Sequence, residues 1–171
     1  MNIFVTSSCP EQSAIALPDK LIVKMPLECC QLLSYIASPT FHNYGSLPKK
    51  DGTPYMTRAN NGHMKHPCTL WGSQSIHNAT WILYHGLMLC EEYQRRYQKR
   101  HACYDTLLVA HDIFPEGNLD KVEPFIRAMP DDLKLDKTID TFTAYKKYIA
   151  SKPWVSANYL RIPSRKPSWI D

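Results

Sequence analysis

The segment from Leu17 to Ile36 places apolar side chains at helical spacing and constrains the fold more than any other part of the chain. Seven apolar residues would share one side of a helix, as core-facing residues do: Leu21, Ile22, Met25, Cys29, Leu32, Leu33 and Ile36. A polar stripe at i, i+4, i+8 and i+11 would lie on the other side: Lys20, Lys24, Glu28 and Gln31. The polar side is either a solvated surface or the wall of a site for an anionic ligand.

Proline residues define the limits of this predicted helix and one special position inside it. Pro18 begins the helix, and the Pro39 that follows Ser38 ends it. Pro26 removes one backbone donor within the helix and is expected to kink the axis near Glu28, at a cost of ~3 kcal/mol. Strain beside a carboxylate favours a functional role for Glu28.

Length and composition predict one compact domain over residues 1–171. The chain has 171 residues, with 44% hydrophobic and 21% charged side chains, as in ordinary globular proteins. No apolar run approaches the ~18 residues that suggest a membrane span. The first residues also lack the basic and apolar regions of a signal peptide. We therefore predict a cytoplasmic protein that does not contact membranes and is a monomer or, as the alternative, a dimer.

Cysteines and histidines give little indication of a metal or a disulfide. No two of the six cysteines form a C-x-x-C pair, so small apolar core residues are the better interpretation. The pair His63 and His66 alone is a weak metal signature. We predict no metal and no cofactor, and we assign no catalytic role to Cys29 or Cys30.

The charge of the chain is unevenly distributed around a net value of +4. Basic residues are concentrated in residues 49–66, 94–101 and 152–171, whereas residues 112–140 carry eight acids and four bases. This asymmetry suits a domain that presents a positive face to a polyanion. The alternative is a surface that is simply uneven.

The remaining segments predict a mainly α fold with two long central helices, a long basic loop and an aromatic and basic C-terminal tail. In the second long helix, Gly86 is expected at a close-packing point, and Trp81, His77 and His85 are expected in the core. The N-terminal half is predicted to contain a short strand-like start over residues 1–5, a helix over 10–16 with Ser8 as N-cap, and a loop over 41–65 that could include a hairpin. A long helix is predicted from about 67 to 98, followed by a helix over 101–111. An irregular segment over 114–130, a helix over 136–150 and the tail over 152–169 complete the chain.

Several short motifs occur in an order that resembles a known protein family. The early helix has the pattern Asp-Lys-x-x-x-Lys-x-x-x-Glu-x-x-Gln-x-Leu. The next long helix begins with His-Pro-x-x-x-Trp and has Cys-Glu-Glu-Tyr near its end. The last helix is followed by Lys-Pro-Trp. The residues concerned include Asp19, Leu33, His66, Pro67, Trp71, Lys152, Pro153, Trp154 and Tyr159. Together they resemble the pyrimidine-dimer DNA glycosylases, small helical phage enzymes often called endonuclease V, and related phage and bacterial proteins.

The resemblance implies an amine nucleophile that acts on DNA. In that family the N-terminal α-amine attacks the deoxyribose C1′ of a damaged pyrimidine, giving a Schiff base and then strand scission. By position, Glu28 matches the catalytic glutamate, Asn2 lies near the nucleophile and Lys24 replaces a helical cation. The substrate would be DNA with a flipped base, in a host cytoplasm if the gene belongs to a phage. Predicted substrate-binding residues are Asn2, Lys20, Gln31, His66, Trp71 and Trp154.

Several of these side chains also have a structural interpretation. His66 is either a helix-start residue or a site acid, and Trp71 is more often a core aromatic. Trp154 either stacks on a base or docks on the protein body.

Position 2 departs from the family pattern, because asparagine there normally blocks removal of the initiator methionine. The nucleophile is then the Met1 amine, Lys24 or Lys20, unless lyase chemistry has been lost. Two alternative functions follow from this departure. One is a nucleotide- or DNA-base-modifying transferase or hydrolase on the same scaffold, and the other is a non-catalytic protein that binds nucleic acid or nucleotides.

Overall fold

The computed structural model describes residues 1–55 and 63–171, and within these ranges the protein is compact and mainly α, with seven α-helices and no strand. The predicted fold class is therefore confirmed. The helices are α1 (Pro10–Ile15), α2 (Asp19–Ala37), α3 (Pro67–Gln74), α4 (Ile76–Tyr97), α5 (Tyr104–Ile113), α6 (Asp131–Lys134) and α7 (Thr141–Ala150). Two 3-10 turns cover Leu119–Lys121 and Pro163–Arg165. None of the helices described is long and apolar enough to cross a bilayer.

The two long central helices, α2 and α4, pack against each other, and α1 packs against α4. Gly86 lies at the crossing, as predicted. A Cβ atom added there would lie 3.0 Å from Cys29 Cβ and 3.0 Å from Leu107 Cδ2. Trp81 and His85 are fully buried in the same core, also as predicted, whereas His77 is only half-buried and its Nδ1 accepts the Asn118 N–H at 3.0 Å.

The predicted second long helix is wrong in one respect, because two helices occupy its range. Ser75 separates α3 from α4 with extended backbone angles of φ −149° and ψ 155°. Its hydroxyl accepts the Asn78 N–H at 3.2 Å and so caps α4. A serine between two apolar runs competes with helical hydrogen bonding, and here it starts a new helix.

The predicted strand at the start of the chain is also wrong. Residues 1–5 form no strand, and Phe4 has a positive φ of 42°. The Asn2 side-chain oxygen accepts the N–H groups of Ile3 at 2.7 Å and Phe4 at 3.0 Å. This local capping by an asparagine side chain bends the backbone away from an extended conformation.

The α1 helix begins at Pro10 as predicted but with a different N-cap, and two other helices begin later in the chain than predicted. The N-cap of α1 is Cys9, whereas the Ser8 carbonyl accepts the Trp81 indole N–H at 2.7 Å. Asp140 caps α7 by accepting the Thr143 N–H at 2.7 Å, so α7 begins at residue 141 and not at 136. The α5 helix begins at residue 104 and not at 101, and its N-cap Cys103 makes no side-chain cap hydrogen bond.

The long basic loop contains a short antiparallel bridge between Pro48 and Pro54, which agrees with the predicted hairpin. Arg58, part of the same predicted loop, lies outside the described residues. The C-terminal tail docks on the start of α2, where the Asn158 carbonyl accepts the Asp19 N–H at 2.8 Å. The Asn158 side chain accepts the Lys20 N–H at 2.8 Å, which satisfies a second free donor of the helix end.

Candidate active site at the N-terminus

Glu28 is a buried carboxylate, with 5% of its surface exposed, in the middle of α2. Its Oε2 accepts the Asn2 backbone N–H at 2.7 Å. Its Oε1 lies 2.9 Å from the Lys24 ammonium, one helical turn away, and the Lys24 side chain is 66% exposed. Glu28 therefore connects the buried start of the chain to a cation in contact with solvent.

The amino group of Met1 lies in the same corner. Covalent geometry puts it within ~3.7 Å of the Asn2 nitrogen and so within about 6.5 Å of Glu28 Oε2. The electrostatics of His66 agree with this position. Burial first, and then the positive N-terminus and His63, lower the pKa of His66, whereas the Glu28 charge raises it.

His66 occupies the N-cap of α3, where its Nδ1 accepts the Cys68 N–H at 3.1 Å. That bond makes Nδ1 the acceptor, so in neutral His66 the proton is on Nε2. The side chain is half-buried. His66 thus serves as the helix-start residue, one of its two predicted roles, while its ring also faces the charges of the N-terminal corner.

Asn2 is held from a distant part of the chain. Its side-chain Nδ2 donates to the Ala128 carbonyl at 2.6 Å, and only 7% of the residue is exposed. Sequence reasoning missed Ala128, because the two residues are 126 positions apart and the surrounding segment has no regular structure. No motif in the sequence indicates this contact.

The other predicted site residues are distributed over three locations. Lys20 is exposed, with its ammonium 4.8 Å from the centre of the half-buried Trp154 ring, at the start of α2. Trp71 is buried in the core, and its indole N–H donates to the Pro124 carbonyl at 3.0 Å. Gln31 lies one turn beyond Glu28 and lines a cleft.

This cleft has a volume of about 480 Å³ and lies between α2, the basic loop and the start of α5. Its lining combines aromatic, amide, cationic and thiol groups, among them Gln31, Tyr35, Lys49, Tyr55, His63 and Cys103. Leu27 also lines the cleft, and it precedes Glu28 in the chain. The cleft therefore adjoins the N-terminal corner along α2.

Cys103 is a second feature that sequence reasoning missed. A hydrogen bond with the Cys30 thiol lowers the pKa of Cys103 to about 5, and His101 contributes in the same direction, while burial opposes both. The sequence separates Cys30 from Cys103 by 73 positions, so spacing does not reveal the pair. Over residues 1–55 and 63–171, no three His, Cys, Asp or Glu side chains are arranged to hold a metal ion.

Comparison with known proteins identifies a family. The sequence model of a family described as pyrimidine dimer DNA glycosylase matches residues 1–105. The matched range includes α1 to α4, and with them Asn2, Lys24, Glu28 and His66. Neither curated proteins nor solved structures give a match.

Proposed function

The chain belongs to the pyrimidine dimer DNA glycosylase family, and from this premise we propose that it excises a damaged or modified pyrimidine and then acts as an AP lyase. The nucleophile is an amine at the start of the chain, and Glu28 is its acid–base partner. The observation that carries the proposal is the 2.7 Å hydrogen bond between the Asn2 nitrogen and Glu28 Oε2.

The chemistry requires a neutral amine beside a carboxylate. The amine attacks C1′ of the deoxyribose, the bond from C1′ to the base breaks, and the base leaves with a proton. Glu28 transfers a proton at the sugar ring oxygen and stabilises the developing cation. The resulting Schiff base allows loss of a C2′ proton and departure of the 3′ phosphate, which cuts the strand.

The proposal has three forms, which differ in the nitrogen near Glu28 that serves as the amine. With methionine retained, the nucleophile is the Met1 amine. If methionine is removed, the nitrogen at 2.7 Å becomes the Asn2 amine itself. Lys24 is the third candidate, since its Nζ lies 2.9 Å from Glu28 Oε1. The terminal amine is preferred because the backbone nitrogen beside Glu28 is buried and held, whereas Lys24 is largely exposed.

DNA binding is supported by cations at the start of α2 and at the cleft that adjoins the N-terminal corner. The exposed ammonium of Lys20 lies over Trp154, and such a pair suits a phosphate contact beside a stacking surface. Lys49 and Lys50 lie at the cleft next to Gln31. Phosphate contacts of this kind make affinity fall steeply with salt concentration.

Borohydride trapping tests the proposal directly. Purified protein is incubated with duplexes that contain a cyclobutane pyrimidine dimer, an abasic site or a modified pyrimidine, and borohydride reduces any Schiff base to a stable adduct. We expect an adduct whose tryptic peptide carries DNA on the first residue. Intact mass of the same preparation shows whether that residue is Met1 or Asn2. Lack of an adduct with all three substrates would reject the proposal, and an adduct on Lys24 would reject the terminal nucleophile.

Glu28→Gln is the central variant, because it keeps the shape of the side chain and removes its charge. We expect the trapping rate to fall by about 10²–10⁴-fold, the range usual for loss of an acid–base group. Glu91→Gln is the matched control, because Glu91 also pairs with a cation four positions away, Arg95 at 3.4 Å, but lies at the far end of α4. Equal rates for the two variants would contradict the role of Glu28.

The same measurements separate the alternative functions. Turnover of a free nucleotide without affinity for duplex DNA would indicate a nucleotide-modifying enzyme on this scaffold. Salt-dependent DNA binding that Glu28→Gln leaves unchanged, with no adduct, would indicate a non-catalytic binding protein.

A further inference from the structure

Tyr145 is a fully buried tyrosine on α7, outside the range matched by the family. Its hydroxyl makes two hydrogen bonds with one short segment of backbone. It accepts the Ala128 N–H at 3.1 Å and donates to the Ile126 carbonyl at 2.9 Å. The hydroxyl therefore holds the two ends of a three-residue stretch in a defined geometry.

This stretch lies in a part of the chain without helical or sheet hydrogen bonds. Residues 122–130 belong to no helix or strand, so their backbone groups depend on side chains and solvent for hydrogen bonds. Arg127, within this stretch, donates to the carbonyls of Leu133 at 3.0 Å and Asp136 at 2.5 Å. The hydrogen bonds of Tyr145 and Arg127 thus restrain the backbone at residues 126–128.

Ala128 connects this segment to the start of the chain by a hydrogen bond. Its carbonyl accepts the Asn2 side chain at 2.6 Å, and the Asn2 backbone nitrogen donates to Glu28 at 2.7 Å. Tyr145, Ala128, Asn2 and Glu28 are therefore joined by consecutive hydrogen bonds. The side-chain oxygen of Asn2 accepts the N–H groups of the neighbouring Ile3 and Phe4. Within the described residues, only Nδ2 therefore connects the Asn2 side chain to a distant part of the protein.

We propose that Tyr145 is a positioning residue for the amine nucleophile, an inference that rests on the proposed function. Its hydroxyl holds Ala128, Ala128 holds Asn2, and Asn2 sets the distance between the terminal nitrogen and Glu28. Tyr145 itself does not contact the DNA. The C-terminal third of the chain thereby completes a site whose reacting groups all lie in the first 28 residues.

Tyr145→Phe removes the hydroxyl and leaves the ring in the core. Tyr159→Phe is a matched control, because Tyr159 is also buried and donates to a backbone carbonyl, that of Ala16 at 2.7 Å. Both variants lose one hydroxyl from the interior, but Tyr145→Phe breaks two hydrogen bonds and Tyr159→Phe breaks one, so the urea midpoint of Tyr145→Phe is expected to fall further. Only Tyr145 belongs to the chain of hydrogen bonds that reaches Glu28.

Single-turnover trapping at saturating DNA is the measurement. We expect Tyr145→Phe to lower the rate constant by about tenfold or more, as small misplacements of reacting groups do. We expect its Kd for DNA to stay unchanged and the pH profile of its rate constant to shift, because the spacing between the amine and Glu28 changes. Tyr159→Phe should keep the wild-type rate constant and pH profile.

Hydrogen exchange gives a readout that does not depend on activity. In Tyr145→Phe the amides of Asn2 and Ala128 should exchange faster than in Tyr159→Phe at matched stability. Equal rate constants, pH profiles and exchange for the two variants would overturn the role of Tyr145 while leaving the proposed function intact. If the wild-type protein forms no adduct, both the proposed function and the role of Tyr145 are rejected.

Discussion

Two buried carboxylates on the same helix, Asp19 and Glu28, have opposite surroundings. Asp19 is 6% exposed and accepts from Arg96 Nη1 at 3.0 Å and from the backbone N–H groups of Leu160 at 2.8 Å and Arg161 at 3.1 Å. Glu28 is equally buried, but one of its two partners is the solvent-exposed Lys24. Burial alone therefore does not separate a structural carboxylate from a candidate catalytic one.

The surroundings of Asp19 form a closed network. Arg96 has no exposed side-chain surface and also donates to Glu92 Oε1 at 2.8 Å and to the Leu17 carbonyl at 2.8 Å. Arg165 from the tail donates to the same Glu92 oxygen at 3.1 Å. These bonds join the turn before α2, the end of α4 and the C-terminal tail. Removal of Arg96 would leave the buried charge of Asp19 without its ionic partner, which would lower the free energy of unfolding.

The surroundings of Glu28 are open on one side. Lys24 is 66% exposed and can turn into solvent without leaving a buried charge of its own. A carboxylate with replaceable partners can exchange protons during a reaction. The following predictions test this difference between the two carboxylates, beginning with the largest expected effect.

Arg96→Met should lower the free energy of unfolding by about 3–5 kcal/mol, because it leaves Asp19 and Glu92 buried without their main partner. Urea denaturation measures the change. Arg95→Met is the control from the next position, where the side chain is 46% exposed and a loss below ~1 kcal/mol is expected. Similar losses for the two variants would show that the buried network around Asp19 does not contribute more to stability than an exposed ion pair.

His85 is a third buried titratable group, and unlike Glu28 it has no contact with solvent. Burial lowers the pKa of His85 to about 4, although the Pro10 carbonyl beside its Nδ1 and the Ile3 backbone oppose the shift. The unfolded chain, with a histidine pKa of about 6.5, binds more protons than the folded protein between these values. Stability present above pH 6.5 should therefore decrease by about 3 kcal/mol as the pH falls towards 4.

Urea denaturation at a series of pH values measures this loss for the wild type and for His85→Gln. The difference between the two slopes isolates His85 from the acidic residues that titrate in the same range. Parallel slopes would contradict the enclosure of the ring.

Glu28→Gln should change the free energy of unfolding by less than ~1 kcal/mol, since it removes one ion pair with an exposed lysine. The amide oxygen can still accept the Asn2 N–H. The same urea experiment on Asp19→Asn should give a much larger loss, because its partners are internal. If Glu28→Gln proved the more destabilising of the two, Glu28 would be a carboxylate that mainly stabilises the fold, as Asp19 is.

Lys24→Met should have the smallest effect. The slope of log affinity for DNA against log salt should decrease by about 1 if Lys24 contacts a phosphate. Fluorescence anisotropy at several salt concentrations measures the slope, with the exposed Lys134→Met on α6 as the control. An unchanged slope would remove Lys24 from the DNA-binding surface.

Local patterns were sufficient for much of the fold. The apolar spacing that begins after Pro18 predicted α2 to within one residue, and Gly86 was correctly expected at a close contact. Amphipathic periodicity and glycine packing are properties of a few neighbouring residues, so they can be recognised in a single sequence. Where a side chain redirected the backbone, as at Asn2 and Ser75, the local pattern predicted the wrong element.

By itself, the sequence determined the mainly α fold, the long helix with its polar stripe, and Glu28 as the carboxylate of interest. Only the tertiary structure decided which buried carboxylate faces the start of the chain and what holds that start in place. The bonds from Asn2 to Glu28 and to Ala128 span 26 and 126 positions. Contacts of that range arise from the packing of whole helices, and no spacing within one helix encodes them.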